Sequence, residues 1–317
     1  MTGSTLITVW YCMGGIPALQ DTMTVRTTPS RKSGRPPQSV GPAHRASAEG
    51  PKLADFKKTV EAFYATHGRH NLPWRKTHDP YRILVSEVML QQTQVKRVLS
   101  FYTEFMKCFP TVQALAKSSL GDILRAWQGL GYNRRAKMLH ETARAVLFQH
   151  GGKVPRGYDE LRTLPGVGEY TAKAVRVFAW NEPEELIETN IRTAFLHHFF
   201  PRKRGITDRQ LLQLTAVALD TKNPRRWYSA LMDYGAHLKT ILPNPSRRSA
   251  THARQKPFKG SDREIRGAIL RAVSQKPQPA KGLFQLPFAR TRIEAQTKKL
   301  LRENLLEKRQ SGYSLPI

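Results

Sequence analysis

Apolar side chains recur at intervals of three and four residues from Ala54 to Leu242. This spacing places them on one face of successive helices, and Gly or Pro residues separate the periodic segments. The clearest segments run from Ile83 to Leu90, Val95 to Met106, Arg135 to Phe148, Tyr158 to Leu164 and Tyr170 to Trp180. The pattern predicts a compact all-α unit of roughly ten helices.

Two stretches lack this periodicity. Residues 1–50 are rich in Thr, Ser, Pro, Gly and Arg, which is typical of a disordered basic tail. Residues 243–261 are rich in Pro, Ser and Arg and are predicted to form a linker. The predicted helical domain therefore occupies residues 51–242.

Residues 262–317 are predicted to form a second domain. Asp262 is a candidate N-cap for a helix, a second apolar segment runs from Ile293 to Leu306, and residues 312–315 could end a hairpin. Three helices closed by a short hairpin would form a winged helix-turn-helix. From residue 245 onward, 17 Lys or Arg exceed 5 Asp or Glu by 12, which suits DNA contact. The alternative is a basic helical appendage that only packs on the main domain.

The whole chain carries 52 Lys or Arg against 24 Asp or Glu, a formal net charge of +28. Such a charge predicts a polyanionic partner, and nucleic acid is the expected one. A membrane surface is less suitable, because the sequence shows no basic amphipathic helix with a bulky apolar face and no stretch long enough to span a bilayer. The two cysteines predict neither a disulfide framework nor a metal cluster, and no secretory leader is recognisable. We expect a cytoplasmic protein associated with DNA.

A glycine-rich turn lies between two of the predicted helices. Pro165 fixes its own backbone, whereas Gly166 and Gly168 permit positive φ and close approach of another backbone. The turn and the helix start after it would present unpaired N–H groups to a phosphodiester. Leu164, Gly166, Val167 and Gly168 are therefore candidate DNA contacts. A plain helix-turn-helix corner is the alternative.

Two glutamates are candidates for acid–base chemistry. Glu87 lies inside an otherwise apolar helical stretch, where burial would raise its pKa and make it a proton donor near neutral pH. Glu188 precedes the helix that carries Ile191 and Phe195, and the N-terminus of that helix would favour its ionised form. One protonated and one ionised carboxyl suit cleavage of a glycosidic bond through an oxocarbenium-like state. Each could instead be an ordinary surface or N-terminal glutamate.

Together these segments resemble the adenine DNA glycosylases (MutY type) of the helix-hairpin-helix superfamily. The resemblance extends from about Leu72 to Ala236, roughly half the chain. It rests on an ordered set of motifs, which are Leu72 to Arg75, Ser86 to Val95, Trp127 to Arg135, Leu164 to Ala172, Glu188 to Arg192 and Ala230 to Ala236. The implied fold is the helix-hairpin-helix DNA glycosylase fold.

The resemblance implies roles for four catalytic residues. Glu87 matches the acid that protonates the adenine ring and later handles the water. Glu188 matches the carboxylate that stabilises the sugar cation, and Asn190 matches a residue that orders this carboxylate and the sugar phosphate. Tyr170 fills the position that is Lys in related bifunctional glycosylase/lyases, so no Schiff base is expected.

The resemblance also implies contacts with DNA. Gln91 and Gln92 match the turn inserted into the duplex where the base is extruded, a step that is required because a stacked base cannot be attacked. Tyr132 and Arg134 match residues that line the DNA groove. The implied partner is duplex DNA containing a mispair, and we expect the protein to act as a monomer.

The sequence departs from the family pattern in three ways. Glu188 stands where the family has Asp, and a displacement of about 1 Å can cost roughly a hundredfold in rate. Lys239, Ser246, Ser249 and Gln255 stand where the family has four cysteines that bind a 4Fe–4S cluster. No thiolate is available there, so we predict no cluster and no other cofactor or metal. The pyrophosphohydrolase-like domain that reads 8-oxoguanine is also missing, which leaves the opposite base open.

The sequence therefore predicts a monofunctional glycosylase of base excision repair that removes adenine opposite 8-oxoguanine or guanine. One alternative is a mismatch glycosylase that acts on thymine or uracil opposite guanine. Another is a DNA-binding protein whose catalysis has been weakened by the change at Glu188.

Overall fold

The structure is a computed structural model that describes residues 42–252, 255 and 257–317. Helix α1 (Pro42–His67) begins eight residues before the end predicted for the tail, and residues 1–41 of that tail lie outside the described residues. Contacts between Cα atoms separate Met1–Ala46 from one compact unit, Ser47–Ile317. The predicted glycosylase domain, linker and C-terminal domain all lie within this second unit.

The prediction of an all-α fold is confirmed for the described residues, in which helices predominate. The helices that follow α1 in the predicted glycosylase domain are α2 (Pro80–Leu90), α3 (Val95–Cys108), α4 (Val112–Lys117), α5 (Leu120–Ala126), α6 (Arg134–Gln149), α7 (Tyr158–Thr163), α8 (Glu169–Trp180), α9 (Thr189–Phe199), α10 (Asp208–Ala218) and α11 (Pro224–Ile241). A single 3-10 turn, Pro73–Arg75, precedes α2. None of the described helices is long and apolar enough to cross a bilayer.

Two apolar cores hold these helices together. The first surrounds Trp127 and Phe105, which are fully buried and whose rings meet edge to face 5.7 Å apart. The second surrounds Phe195 and Trp227, where α9 packs against α11. Large buried aromatic side chains contribute about 2–3 kcal/mol each relative to exposure. The two cores therefore fix α2, α8, α9 and α11 relative to one another.

Residues 243–252, the first part of the predicted linker, pack against this domain. Arg248 donates from Nη2 to the Leu196 carbonyl at the end of α9 (2.7 Å) and from Nη1 to the Pro201 carbonyl (2.9 Å). The Ala250 N–H donates to the Ile206 carbonyl (2.9 Å). This segment is therefore ordered by hydrogen bonds to the rest of the domain, which its Pro-, Ser- and Arg-rich composition does not predict. The assignment of residues 243–261 as a linker stays a prediction.

The C-terminal residues form the predicted arrangement of three helices and a hairpin. Helices α12 (Asp262–Gln275), α13 (Ala280–Leu283) and α14 (Arg290–Arg302) are followed by strands β1 (Glu307–Arg309) and β2 (Gly312–Ser314). The strands pair antiparallel, with Lys308 opposite Tyr313. Ser261 is the N-cap of α12, so Asp262, the predicted cap, is instead its first helical residue.

This C-terminal unit shares the first core with the rest of the protein. Ile265 and Leu300 belong to the same buried cluster as Trp127. Lys137 on α6 donates to the Glu303 carbonyl (2.8 Å), and Arg125 Nε on α5 donates to the Ser274 carbonyl (2.9 Å). The unit is thereby held against helices α5 and α6.

Candidate active site and nucleic-acid interface

Helix α2 carries Glu87 into the interior. Asp79 caps the helix by accepting from the Tyr81 N–H (2.9 Å), and Pro80 takes the first position, where no N–H is needed. The helix is apolar on nearly all sides and buries most of its length. Glu87 is only 8 % exposed, so its carboxyl lies in surroundings that disfavour a charge.

Burial is the largest cause of an altered acidity at Glu87. Burial and, to a smaller extent, the negative charge of Glu188 together raise the pKa of this carboxyl to about 7. A hydrogen bond from the Tyr170 hydroxyl acts in the opposite direction. Glu87 is thus protonated in a substantial fraction of molecules at neutral pH, as its apolar sequence context predicts.

Glu188 is the N-cap of α9. Its Oε1 accepts from the N–H groups of Asn190 (2.7 Å) and Ile191 (2.8 Å). The Asn190 side chain donates from Nδ2 to Oε2 of the same carboxylate (3.2 Å). All three donors favour the ionised form, in agreement with the sequence-based expectation.

Burial opposes these donors at Glu188. Burial is the largest cause of the altered acidity and raises the pKa of Glu188. The two backbone N–H donors and the charges of Lys239 and Arg192 lower it, but the net shift is upward. The prediction from sequence took account of the helix terminus but not of this desolvation. Only Glu188 receives backbone N–H donors, so a single proton shared by the two carboxyls resides on Glu87.

All four predicted catalytic residues line one cavity of about 460 Å³. Glu87 comes from α2, Tyr170 from the first turn of α8, and Glu188 and Asn190 from the start of α9. Oδ1 of Asn190 is buried and has no hydrogen-bond partner among the described residues. It is therefore an acceptor available to a bound molecule or to water.

Three arginines that were not predicted from sequence also line this cavity: Arg69, Arg75 and Arg225. Asp233, which is 3 % exposed, accepts from Arg75 through both Nη1 (2.6 Å) and Nη2 (2.8 Å) and also pairs with Arg69. Burial raises the pKa of Asp233, but hydrogen bonds and charge from these arginines outweigh it and the net shift is downward. The Leu72 to Arg75 motif was the available signal for Arg75.

The Gln91–Thr93 turn at the end of α2 is held by Arg135 of α6. Nη1 of Arg135 donates to the carbonyls of Val88 (2.7 Å), Met89 (2.9 Å) and Gln91 (2.8 Å). Nη2 donates to the Thr93 hydroxyl (3.1 Å). Arg135 was not selected from sequence, although it ends the Trp127 to Arg135 motif. A partly buried arginine that pairs with carbonyls and a hydroxyl cannot be distinguished from a solvated one by pattern.

The two glutamines of this turn occupy different positions. Gln91 is partly buried and donates from Nε2 to Thr171 Oγ1 on α8 (3.3 Å). Gln92 is exposed and adopts a left-handed backbone, φ 55°. A non-glycine residue rarely holds this conformation, and such strain concentrates at functional sites.

The glycine-rich turn lies between α7 and α8, as predicted. Gly166 has φ 76°, and a Cβ there would lie 2.6 Å from Met138 Cβ, so glycine is required on two grounds. No hydrogen bond from the N–H groups of Gly166 and Gly168 is present among the described residues, and no side chain caps α8. The side chains of Leu164 and Val167 are buried, and their N–H groups already donate to the carbonyls of Leu161 (3.2 Å) and Leu164 (3.1 Å).

Tyr132 and Arg134 line a second cavity of about 420 Å³, together with Gln91, Gln92 and Gly166. Tyr132 is also left-handed, with φ 49°. The structure thus brings five of the eight predicted DNA-contacting residues around one cavity, whereas Leu164, Val167 and Gly168 do not line it. Arg134 is exposed there.

Comparison with known proteins agrees with this geometry. Residues 85–286 match the profile of the HhH-GPD superfamily base excision DNA repair proteins. The chain belongs to this family. Among solved structures, a thermostable thymine-DNA glycosylase matches with a TM-score of 0.53 at 28% identity, over 60% of this chain and 88% of that protein.

Several curated relatives carry the name adenine DNA glycosylase. The relative from Mycolicibacterium smegmatis is 36% identical over 231 residues, which cover 67% of this chain and 78% of the relative. The one from Mycobacterium tuberculosis is 43% identical over 147 residues, 46% of this chain and 48% of the relative. The human relative is 35% identical over 206 residues, 60% of this chain and 37% of the relative. The chain thus spans about half the length of several relatives.

The positions at which the family carries cluster cysteines hold other residues in the structure. Lys239 is partly buried near the C-terminal end of α11, whereas Ser246 and Ser249 are buried in the segment after α11. Gln255 hydrogen-bonds to the Tyr132 hydroxyl. Among the described residues no group of three or more His, Cys, Asp or Glu side chains could hold a metal ion, and the chain has two cysteines in all. These positions do not fit an iron–sulfur cluster.

Proposed function

We propose that this protein is a monofunctional DNA glycosylase that hydrolyses the N-glycosidic bond of adenine mispaired in duplex DNA. The observation that carries the proposal is the pairing of a protonated and a capped carboxyl, Glu87 and Glu188, in one cavity. The names of the curated relatives favour adenine as the base.

The first step requires the base to leave the duplex. Gln91 and Gln92, which line the cavity, would occupy the position that the nucleotide leaves in the duplex when it enters the site. Glu87 then donates its proton to the adenine ring, which turns the base into a neutral leaving group. Because the pKa of Glu87 is raised to about 7, this proton is present at neutral pH and is readily transferred.

Departure of the base leaves positive charge on the sugar. The Glu188 carboxylate, fixed by the N–H groups of Asn190 and Ile191, stabilises this oxocarbenium-like state electrostatically. Glu87, now ionised, accepts a proton from the attacking water. Tyr170 offers no amine, so no Schiff base forms and the product is an abasic site.

The proposed partner is duplex DNA that contains a mispair. Exposed N–H groups at Gly166 and Gly168 would contact a phosphodiester, and the net charge of +28 would attract the backbone. We also propose that the protein acts as a monomer, because all four candidate catalytic residues are brought together within a single chain. The site would work without a cofactor, and the cytoplasm is the proposed compartment.

The test is release of adenine from synthetic duplexes that carry adenine opposite guanine, 8-oxoguanine or cytosine. Glu87→Gln is expected to abolish strand breakage after alkaline treatment while DNA affinity changes little. Glu104→Gln is the matched control, because Glu104 is exposed on α3, pairs with Lys107 (2.8 Å) and does not line the cavity. Unchanged breakage with Glu87→Gln would remove this residue from the mechanism.

Glu188→Asp measures the effect of the additional methylene. If the longer side chain displaces the carboxylate from its best position, the aspartate variant will excise adenine faster than the wild type. If the backbone has adjusted to glutamate, the aspartate variant will be slower. A wild type that binds these duplexes and releases no base from them would instead support the DNA-binding protein without catalysis.

A second candidate substrate is thymine or uracil opposite guanine. The fold is similar to that of a thermostable thymine-DNA glycosylase, which is a reason to test these bases as substrates. The same assay with thymine and uracil mispairs distinguishes the two, because each released base is identified chemically.

A further inference from the structure

Two of the departures from the family pattern are neighbours in the fold. Glu188 stands where the family has Asp, and Lys239 stands where it has the first of its cluster cysteines. Gly235 of α11 touches the backbone of Asn190, two residues after Glu188. Lys239 follows Gly235 by four residues, and side chains four residues apart lie on the same face of a helix. The packing of α11 on α9 therefore brings Lys239 towards the Glu188 carboxylate.

The two side chains carry opposite charges in partly or fully buried surroundings. Burial raises the pKa of Glu188 and lowers the pKa of Lys239, and at both residues it is the largest cause. The positive charge of Lys239 lowers the pKa of Glu188, and the negative charge of Glu188 raises the pKa of Lys239. Each charge thus offsets part of the desolvation of the other.

Other cations around this carboxylate are already paired with aspartates. Arg192, which also acts on it, donates to both oxygens of Asp208 (2.8 Å each). Arg69, whose charge acts on Lys239, is paired with Asp233. By contrast, the Lys239 ammonium makes no hydrogen bond and no ion pair within the part of the chain that the structure describes. Its charge is therefore available to support the carboxylate at the start of α9.

The proposed reaction creates a need for such a charge. When Glu87 gives its proton to the base, it becomes a second anion in the cavity of Glu188, and two like charges in a buried site repel each other. The Tyr170 hydroxyl donates to Glu87 but brings no positive charge. Lys239 does not line this cavity. A cation there opposes the repulsion without facing the positively charged sugar.

We propose that Lys239 is a positioning residue of the proposed active site, whose ammonium keeps the Glu188 carboxylate ionised while the base departs. The proposal rests on the proposed glycosylase function. Two explanations compete with it. Lys239 could be an ordinary basic residue in the last turn of α11, where it offsets the helix dipole, or it could contact a DNA phosphate.

The test is the single-turnover rate of adenine excision opposite guanine as a function of pH. Lys239→Met removes the charge and keeps the length of the side chain. Without the cation, Glu188 binds its proton at a higher pH, so we expect the acid limb of the profile to move upward by about 1 pH unit. Lys239→Arg keeps the charge and should retain the acid limb of the wild type. Lys117→Met is the matched control, because Lys117 is exposed on α4 and does not line the cavity.

The position of the acid limb separates the proposed role from the two competing ones. A structural defect in Lys239→Met lowers the rate at every pH, and a lost phosphate contact lowers the affinity for DNA. If either occurs while the acid limb stays in place, the proposal is overturned.

A second measurement requires no activity. We compare the effect of Lys239→Met on the urea midpoint at pH 7 in the wild type and in Glu188→Gln, which keeps an oxygen acceptor for the N–H groups of α9 but carries no charge. The midpoint should fall further when Glu188 is present, and equal effects in both backgrounds would overturn the proposal. A wild type that releases no adenine would contradict the proposed function, and this comparison would then decide the role of Lys239 by itself.

Discussion

Gly235 of α11 lies against the backbone of Asn190 at the start of α9. A Cβ atom on Gly235 would stand 1.9 Å from the Asn190 carbonyl oxygen and 2.6 Å from its carbonyl carbon. The Ala230 to Ala236 motif therefore contains a glycine because two helices touch there through their backbones. This contact fixes the turn of chain that positions Glu188 and Asn190.

Gly235→Ala should consequently impair both folding and excision. Replacement of a helical glycine by alanine normally stabilises a protein by about 0.4–1 kcal/mol when there is space for the added methyl group. Here the methyl group would separate α9 from α11, and we expect the free energy of unfolding to fall by about 2–4 kcal/mol. Gly267→Ala on α12 is the control, because no atom lies within 4 Å of its Cβ position. Urea unfolding of both variants measures the difference, and equal stabilities would contradict the close contact.

The excision rate should depend on pH through Glu87. Since its pKa is raised to about 7, the proton needed by the leaving base is present below that pH and lost above it. We expect the single-turnover rate to decrease about tenfold per pH unit well above pH 7. On the acid side, uptake of a proton by Glu188 should reduce the rate again. A rate that stays constant from pH 6 to pH 9 would exclude Glu87 as the proton donor.

The free energy of unfolding should also depend on pH through the Glu87 carboxyl. A carboxyl whose pKa is about 7 in the folded protein and 4.5 when unfolded binds more protons in the native state between these values. The stability that this provides is complete below pH 4.5 and is lost as the pH rises through 7. Glutamine cannot ionise, so the Glu87→Gln variant is not destabilised as the pH rises. At pH 8 it should be more stable than the wild type by an amount on the order of 2–3 kcal/mol. Thermal unfolding at pH 5 and pH 8 tests this, and the gain should be much smaller at pH 5.

Arg135→Lys should disturb the Gln91–Thr93 turn without a change of charge. Lysine cannot reach several carbonyls with a planar fork, so buried acceptors would lose their donors at about 1–3 kcal/mol each. We expect lower stability and at least a tenfold slower excision rate, while the affinity for undamaged duplex changes little. Arg144→Lys, on the exposed side of the same helix, should leave both properties unchanged. Normal excision by Arg135→Lys would show that the turn is held by other contacts.

The two glycines of the turn before α8 should respond differently to alanine. Gly166 has positive φ and a Cβ position 2.6 Å from Met138, so Gly166→Ala is expected to destabilise the protein by about 2–3 kcal/mol. Gly168 has φ −81°, and the nearest atom, on Arg162, lies 3.9 Å from its Cβ position. Gly168→Ala should therefore fold normally. Chemical denaturation of the two variants side by side measures the contrast, and equal destabilisation would be inconsistent with this geometry.

Local signals in the sequence were sufficient for most helices. Proline marks the start of α2 at Pro80, and the apolar spacing of α3 and α8 gave their extents to within a few residues. The start of α1 was misplaced, because residues 42–50 are helical without apolar periodicity. The ordered packing of residues 243–252 was also not predicted, since it depends on carbonyls at the end of α9 rather than on local composition.

Sequence alone also identified four candidate catalytic residues. The apolar context indicated Glu87, and the position before a helix indicated Glu188. The ordered set of motifs indicated Tyr170 and Asn190. Only the tertiary structure decided that these four residues share a cavity, because residues about a hundred positions apart in the sequence meet through the packing of α2, α8 and α9. The structure likewise placed Arg135 beneath the turn and Arg263 beside Tyr132. The desolvation of Glu188 was likewise visible only in the structure, because burial depends on the folded environment and not on the residue itself.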